Sequence, residues 1–444
     1  MGFPEIGTNL YSLWKKCFEK EAGTDDNTYI KVGIADSGNL DSFGRLRVSD
    51  PTDILDRKNI HDRGELHIDE ELTGAGAITY NPQESSVSLT TGTASGDRTV
   101  RQSRYTSYIP GKSHLVNMTG VLSASGTDAN TTRRIGYFDD NNGLYFQCIG
   151  ESISVVRRTD TSGSVAEEIV EQFDWNLDGL NSNASLNPSN VTLDATKTQI
   201  FHIEFQWLGV GRVKFGLNVN GKTIFVHQML NANVLTVPYI RTPNLPCRYE
   251  IVNTGTSAGT QEMKEICYTV ASEAATTVFG LQFHANNFPN LRAVNTTEIP
   301  IMAIRLKNQF PASRLENRHY IKILRYGGFS SDKTVGLILK KVYSPTSSDG
   351  TWVSVDDHSA IEVNTTLTTI SGSESHQVSC TMLPAGNQAS GSTAVDQNEI
   401  NDNLIIRQNF DSTNSDAFVV FAATYVSAGG TTDVEANCTW VERD

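Results

Sequence analysis

Apolar and polar residues alternate with a period of two over much of this chain, and from about residue 60 to 305 the pattern is all-β, with short runs separated by Gly, Asn, Asp and Pro. It is clearest between Gln199 and Met229. Phe201, Ile203, Phe205 and Trp207 alternate with His202, Glu204 and Gln206, which predicts a half-buried strand. Gly209-Val210-Gly211 predicts a hairpin, and the next strand puts Val213, Phe215, Leu217 and Val219 on its core face. Asn220-Gly221 then predicts a two-residue turn, because both positions tolerate positive φ. Counting back from that turn pairs Leu217 with Ile224 and Phe215 with Val226, and sets Phe225 opposite Gly216. A slip of one residue would expose the whole apolar set, so the register is strongly specified. The clearest helical spacing lies in residues 9–22, where Leu10, Leu13, Trp14, Cys17 and Phe18 share one face and Lys15, Lys16, Glu19 and Lys20 fall largely on the other. A helix this short is marginal alone and must dock, on its own chain or on a neighbouring subunit. Tyr29–Ile34 and Leu46–Val48 read as strands, the second ended by Asp50-Pro51.

The texture changes near Phe310-Pro311. Apolar strands follow at His319–Leu324, Val335–Leu339, Ala417–Ala422 and Cys438–Val441, and a polar run from Ser371 to Asn403 predicts long loops. A chain of 444 residues exceeds one comfortable core. The expected organisation is therefore a helix-plus-strand arm over 1–58, a main β-sandwich over 59–311 and a second β-sandwich over 312–444. No internal repeat at a fixed period is visible, which disfavours a propeller or solenoid.

Charge and cysteine usage narrow the function. Lys and Arg number 36 against 50 Asp and Glu, a net −14 that suits phosphate backbones poorly, so no nucleic-acid partner is expected. Cysteines 17, 148, 247, 267, 380 and 438 are scattered without a CxxC pair or a Cys/His cluster. That spacing excludes a compact disulfide framework and gives no zinc site, and predicts buried free thiols. The amino terminus has no basic then apolar leader, and no stretch approaches the ~20 apolar residues of a membrane span. Synthesis in a cytosol without membrane insertion is the expectation.

Several segments are more specific than generic β sequence. These are Asp41-Ser-Phe-Gly-Arg-Leu-Arg-Val-Ser-Asp-Pro51, Arg133-Arg-Ile-Gly-Tyr-Phe-Asp139, Asn142-Gly-Leu-Tyr-Phe146, Gln206-Trp-Leu-Gly-Val-Gly-Arg-Val-Lys-Phe215 and Thr242-Pro-Asn-Leu-Pro-Cys-Arg-Tyr-Glu250. Together they resemble a family of virion structural proteins from tailed phages and some large algal viruses, over residues 38 to 255. The resemblance implies assembly and display on the particle exterior, as a head decoration or fibre or a tail appendage. It names no catalytic residue and no cofactor, and the expected partners are other virion proteins and copies of the same chain, as a trimer. For attachment the arm supplies Leu13, Trp14 and Phe18, and the signature strand supplies Phe43, Arg45 and Arg47, whose guanidinium forks suit carboxylates at an interface.

The meander, preceded by Asp174-Trp175 and ending in the Asn-Gly hairpin, is also similar to the central strands of concanavalin A-like lectin and glucanase sandwiches. A jelly-roll or concanavalin A-like core follows as the fold expectation. The glucanase reading demands acidic residues at E-x-D-x-x-E spacing, so that two carboxylates lie about 5–5.5 Å apart. The nearest approach, Glu65-Leu-His-Ile-Asp-Glu-Glu71, lacks that spacing, and no G-x-S-x-G, Walker or H-E-x-x-H pattern occurs. A non-enzyme is expected. A carbohydrate-binding receptor module is the alternative, with a glycan-degrading enzyme behind it. The candidate ligand face comprises Glu204, Lys214, Asn218, Phe225 and His227, beside His202 and Gln206. It suits a sugar ring, a subunit contact or plain solvent exposure. Asp139, Asp140, Asn141, Asn142, Asp174 and Asp178 carry oxygens for Ca²⁺ or for Asx-turns, the latter being the ordinary use.

Overall fold

The computed structural model describes Pro51 to Arg443 apart from residues 65–67, 185, 274–279, 311–315, 385–389, 395–404, 407, 409–414 and 426–428. The amino-terminal helix, the strands at 29–34 and 46–48, and the attachment residues Leu13, Trp14, Phe18, Phe43, Arg45 and Arg47 lie outside the described residues.

Period-two patterning produces two pairs of antiparallel sheets. The first pair is built from β1 (Thr52–Lys58), β2 (Ile68–Thr73), β3 (Ala77–Asn81), β4 (Ser86–Thr91), β5 (Arg98–Ser103), β6 (His114–Val121), β7 (Thr131–Phe138), β8 (Gly143–Ile149), β9 (Ser152–Thr159), β10 (Ala166–Glu171), β11 (Gln199–Phe205), β12 (Val213–Val219), β13 (Lys222–Met229), β14 (Cys247–Asn253) and β15 (Gln261–Ser272). One sheet runs β13-β12-β11-β6-β15-β4-β3, with β1 also on β15, and the other runs β10-β9-β8-β7-β14-β5-β2. The chain changes sheet at β1/β2, β2/β3, β4/β5, β5/β6, β6/β7, β10/β11, β13/β14 and β14/β15. These crossovers make a jelly-roll type of sandwich, the fold class expected from the sequence. Its shared core joins Phe146, Phe201, Phe215, Tyr249 and Ile251 from both sheets. The Phe146 ring lies 5.1 Å from that of Phe201 and 5.5 Å from that of Phe215.

The second pair contains β16 (Leu281–Asn286), β17 (Arg292–Val294), β18 (Ile299–Leu306), β19 (Tyr320–Ser330), β20 (Val335–Tyr343), β21 (Ser347–Ser348), β22 (Val353–Ser354), β23 (Ile361–Asn364), β24 (Ile370–Ser371), β25 (Glu374–Leu383), β26 (Ser390–Ala394), β27 (Ile405–Ile406), β28 (Ala417–Thr424) and β29 (Thr432–Arg443). Its main sheets run β16-β29-β19-β26 and β22-β23-β18-β28-β20-β25 over a core that includes Trp440, Tyr326 and Phe418.

Sheet membership moves both sequence-drawn boundaries. β1 pairs with β15, so residues 52–58 belong to the first sandwich and not to an arm. β16 and β17 pair with β29, and β18 with β28, so residues 281–306 belong to the second sandwich. The change of texture at Phe310 marks a connection inside that sandwich. The polar run from 371 contains β25, which pairs with β20 along the margin of its sheet. A strand at a sheet margin with half its side chains exposed needs few apolar residues, here Val378 and Leu383 against the core, so its apolar signal is weak.

Candidate functional site

The meander places four of the five candidate ligand residues together and removes the fifth. Asn220 and Gly221 adopt φ of 51° and 78°, the turn expected of them. Phe201, Ile203 and Phe205 pair with Leu217, Phe215 and Val213 in the core. Leu217 meets Ile224 and Gly216 meets Phe225, but Phe215 meets His227 and not Val226, because a β-bulge intervenes. The extra residue puts Val226 and His227 on the same side of the strand. His227 therefore leaves the Phe225 face, is buried, and accepts the Asn176 N–H at Nδ1.

On the remaining face Lys214 Nζ sits 3.1 Å from Glu204 and 4.6 Å from the centre of the Phe225 ring. The His202 ring packs against Phe225 at 5.7 Å, and Asn117 Oδ1 joins His202 Nδ1 at 2.8 Å and the Asn218 amide at 3.3 Å. Burial holds the His202 imidazole below its ordinary value, Lys214 adds to that, and Glu204 opposes it. A Cβ on Gly216 would meet Ile224 O at 2.9 Å and the Phe225 ring at 3.2 Å, so only glycine lets the ring lie on the sheet.

A second constellation is absent from the sequence-derived candidates. It lies on the side of β7, β8 and β14 that faces away from the sandwich core. Ile135 and Tyr137, Leu144 and Phe146, and Tyr249 and Ile251 point into the core. Their neighbours Arg134, Phe138, Tyr145, Arg248 and Glu250 therefore share the opposite face. Phe138, Tyr145 and Val156 form a separate apolar cluster there, fully buried. The rings of Phe138 and Tyr145 are 4.4 Å apart, with the Arg158 guanidinium 5.6 and 5.1 Å from their centres and that of Arg248 5.3 Å from Phe138.

Glu250 is the hub. It accepts from Arg134 at 2.7 Å and lies 3.4 Å from both Arg98 and Arg248. Asp140 is 2.9 Å from Arg98 and 2.8 Å from Arg248, and Glu167 is 2.7 Å from Arg158. Burial alone would raise the Glu250 carboxyl, but the guanidiniums of Arg248, Arg134, Arg98 and Arg158 outweigh it and hold Glu250 below the usual carboxylate range. Glu167 and Asp140 are lowered against burial in the same way, chiefly by Tyr145 and Arg158 and by Arg248 respectively.

This network joins separate sequence motifs. Arg134 and Phe138 come from the Arg133–Asp139 segment, Tyr145 from Asn142–Phe146, and Arg248 and Glu250 from Thr242–Glu250. The sequence signal was the same-parity placement of Arg134 with Phe138 and of Arg248 with Glu250, opposite apolar residues that are themselves core. Strands of that kind are buried on both faces.

Neither constellation presents an unpaired carboxylate couple. Glu70 is held by Arg101 and Arg63, while Glu71, on the other face of β2, is 3.3 Å from Arg98. Asp139 Oδ1 accepts the backbone N–H of Asn141 and Asn142, and Asp178 accepts those of Leu180 and Ser189, so these oxygens serve turns. Among the described residues no group of three or more His, Cys, Asp or Glu has the arrangement to hold a metal ion. Cys148, Cys247 and Cys438 are buried free thiols, Cys267 is half-buried, and Cys380 is exposed on β25, contrary to the expectation of burial throughout.

No protein-family model and no curated protein matches this sequence. Among solved structures, the chain is similar to a legume lectin-like domain from Entamoeba histolytica, at 11% identity over 49% of this chain and 97% of that one, with a TM-score of 0.28. It is also similar to a prokaryotic β-1,3-1,4-glucanase (lichenase) derived from a mouse hindgut metagenome, at 10% identity over 50% and 99% of the two chains, with a TM-score of 0.31. A protein of unknown function from Shewanella oneidensis MR-1 is 8% identical over 56% and 99%, with a TM-score of 0.34.

Proposed function

We propose that the protein is a structural component displayed on the outside of a virus particle, acting by assembly and surface contact and not by turnover. One observation carries this reading. Three of the five segments that resemble virion structural proteins fall on adjacent strands β8, β7 and β14 and are tied together through Glu250, Arg134, Arg248, Phe138 and Tyr145. In that position the motif residues build a sheet buried on both faces. Glu250, the carboxylate at their centre, is engaged by arginines and not held free for acid–base work. The second sandwich is then the displayed module, and self-association as a trimer, with other virion proteins as neighbours, provides the repeat that a particle surface needs.

Incorporation tests the reading. A variant that begins at residue 41 keeps every described strand, so its β-sheet circular dichroism should match that of the full chain. Particles produced in its presence should lack it, whereas particles produced with the full chain should carry it at many copies. Full-length protein absent from purified particles, or release of reducing ends from polysaccharide by the pure protein, would overturn the proposal.

A further inference from the structure

The two sandwiches meet at a polar joint with an open cleft of about 250 Å³ between them. Asp139, Arg241 and Asn244 line it from the first sandwich, and Phe310, Glu316 and Arg318 from the second. The joint is latched beside the cleft. Arg318 Nη2 donates to the Tyr105 hydroxyl at 2.8 Å, with the guanidinium 3.6 Å from the ring centre, and the Asn141 amide donates to Glu316 at 3.3 Å.

The charges in the cleft are unevenly satisfied. Arg241 has Asp160 at 2.9 Å and Glu316 at 3.7 Å. Among the described residues Arg318 has no ion-pair partner, and its buried Nη1 has no hydrogen-bond acceptor. Its acceptor among the described residues is a neutral phenol, whose own proton goes to Asp139 at 3.3 Å. Burial raises the Tyr105 hydroxyl far above its ordinary value, so that phenol stays neutral and offers Arg318 no charge. A guanidinium held this way has unused capacity for a carboxylate, which it reads as a planar fork. Across from it, the Phe310 ring packs edge-on to His319 at 5.0 Å. Glu316 and Asn244 add an acceptor and an amide suited to hydroxyl groups. The volume lies just below the roughly 300–1,000 Å³ of pockets for drug-sized ligands, on the scale of a single ring.

We propose that this cleft binds one carboxylate-bearing sugar unit. The carboxylate pairs with Arg318, the apolar face of the ring rests on Phe310, and hydroxyls bond to Glu316 and Asn244. The site goes beyond the display reading and does not depend on it.

Titration of the full-length protein with D-galacturonate, D-galactose and acetate, followed by ligand-observed NMR, tests the assignment. Galacturonate should bind with a dissociation constant on the order of 1–10 mM, and galactose and acetate each at least about tenfold more weakly. R318K keeps the charge but loses the fork, and F310A removes the ring face. Each should weaken galacturonate about fivefold or more while near-ultraviolet circular dichroism stays unchanged. The proposal fails if galacturonate shows no binding at about 20 mM, where a single-ring site of this kind would be largely filled. It fails equally if galactose or acetate binds as well as galacturonate, or if both folded variants bind like the parent.

Discussion

Replacing Glu250 with Gln removes one charge from the centre of the arginine network and leaves its shape in place. Three guanidiniums, those of Arg134, Arg98 and Arg248, lie within 3.4 Å of that carboxylate, which is buried. Removing one partner of a buried ion pair costs about 3–5 kcal/mol, because the remaining charge is left uncompensated. Gln keeps one acceptor oxygen, and Asp140 still neutralises part of the cluster, so E250Q should cost about 3 kcal/mol. Local hydrogen exchange read by mass spectrometry is the suitable assay, since two sandwiches with separate cores need not unfold as one. Amides of β7 and β14 should exchange about 100-fold faster, while those of β19 and β29 stay unchanged. The sign of the pH dependence follows from the lowered carboxyl. Stability from an ionised Glu250 is fully present above the unfolded value, about 4.3, and is lost as pH falls through the lower folded value. The difference between parent and variant should therefore hold from pH 7 to 5 and shrink in stronger acid. Adding R134M should recover part of the loss, as an apolar pair replaces a broken ionic one. An exchange ratio below about fivefold, or a difference that persists unchanged in acid, would refute the reasoning.

Two further outcomes follow from single side chains. His114 is fully buried between Tyr108 and Phe205 at 4.8 and 5.5 Å, with no partner among the described residues at either ring nitrogen, and burial, aided by the charge of Arg443, pushes its imidazole down to about 3. Because the unfolded chain takes up that proton first, stability should fall by about 2 kcal/mol between pH 7 and 5, and His114→Leu should abolish that component in urea titrations at the two pH values. Gly221→Ala places a Cβ in open space at a φ of 78°, so its cost is conformational only. It should be about 1 kcal/mol by thermal melting, and a loss above about 3 kcal/mol would mean that the hairpin turn has a packing role not visible in its surroundings.

Legibility in the sequence followed sequence separation. The Asn220-Gly221 hairpin and its flanking core positions were readable because turn chemistry and alternation act over a few residues. The bulge at Val226 and His227 was not, since either register keeps apolar residues inside until the strand is built. Arg134 and Glu250 are 116 residues apart, and periodicity alone does not choose a partner at that distance. The same limit hid the membership of β16 to β18, which is decided by pairing with β28 and β29 near the end of the chain. Edge strand β25 resembles a loop in sequence because half of its side chains face solvent and most of those are polar or small.

Assembly is the central claim, and the mass of the intact, full-length protein in solution tests it most directly. Native mass spectrometry over a concentration series should give a closed oligomer, a trimer or a larger ring, that persists on dilution. A chain that remains strictly monomeric at the highest concentration would contradict the claim that self-association builds the displayed structure.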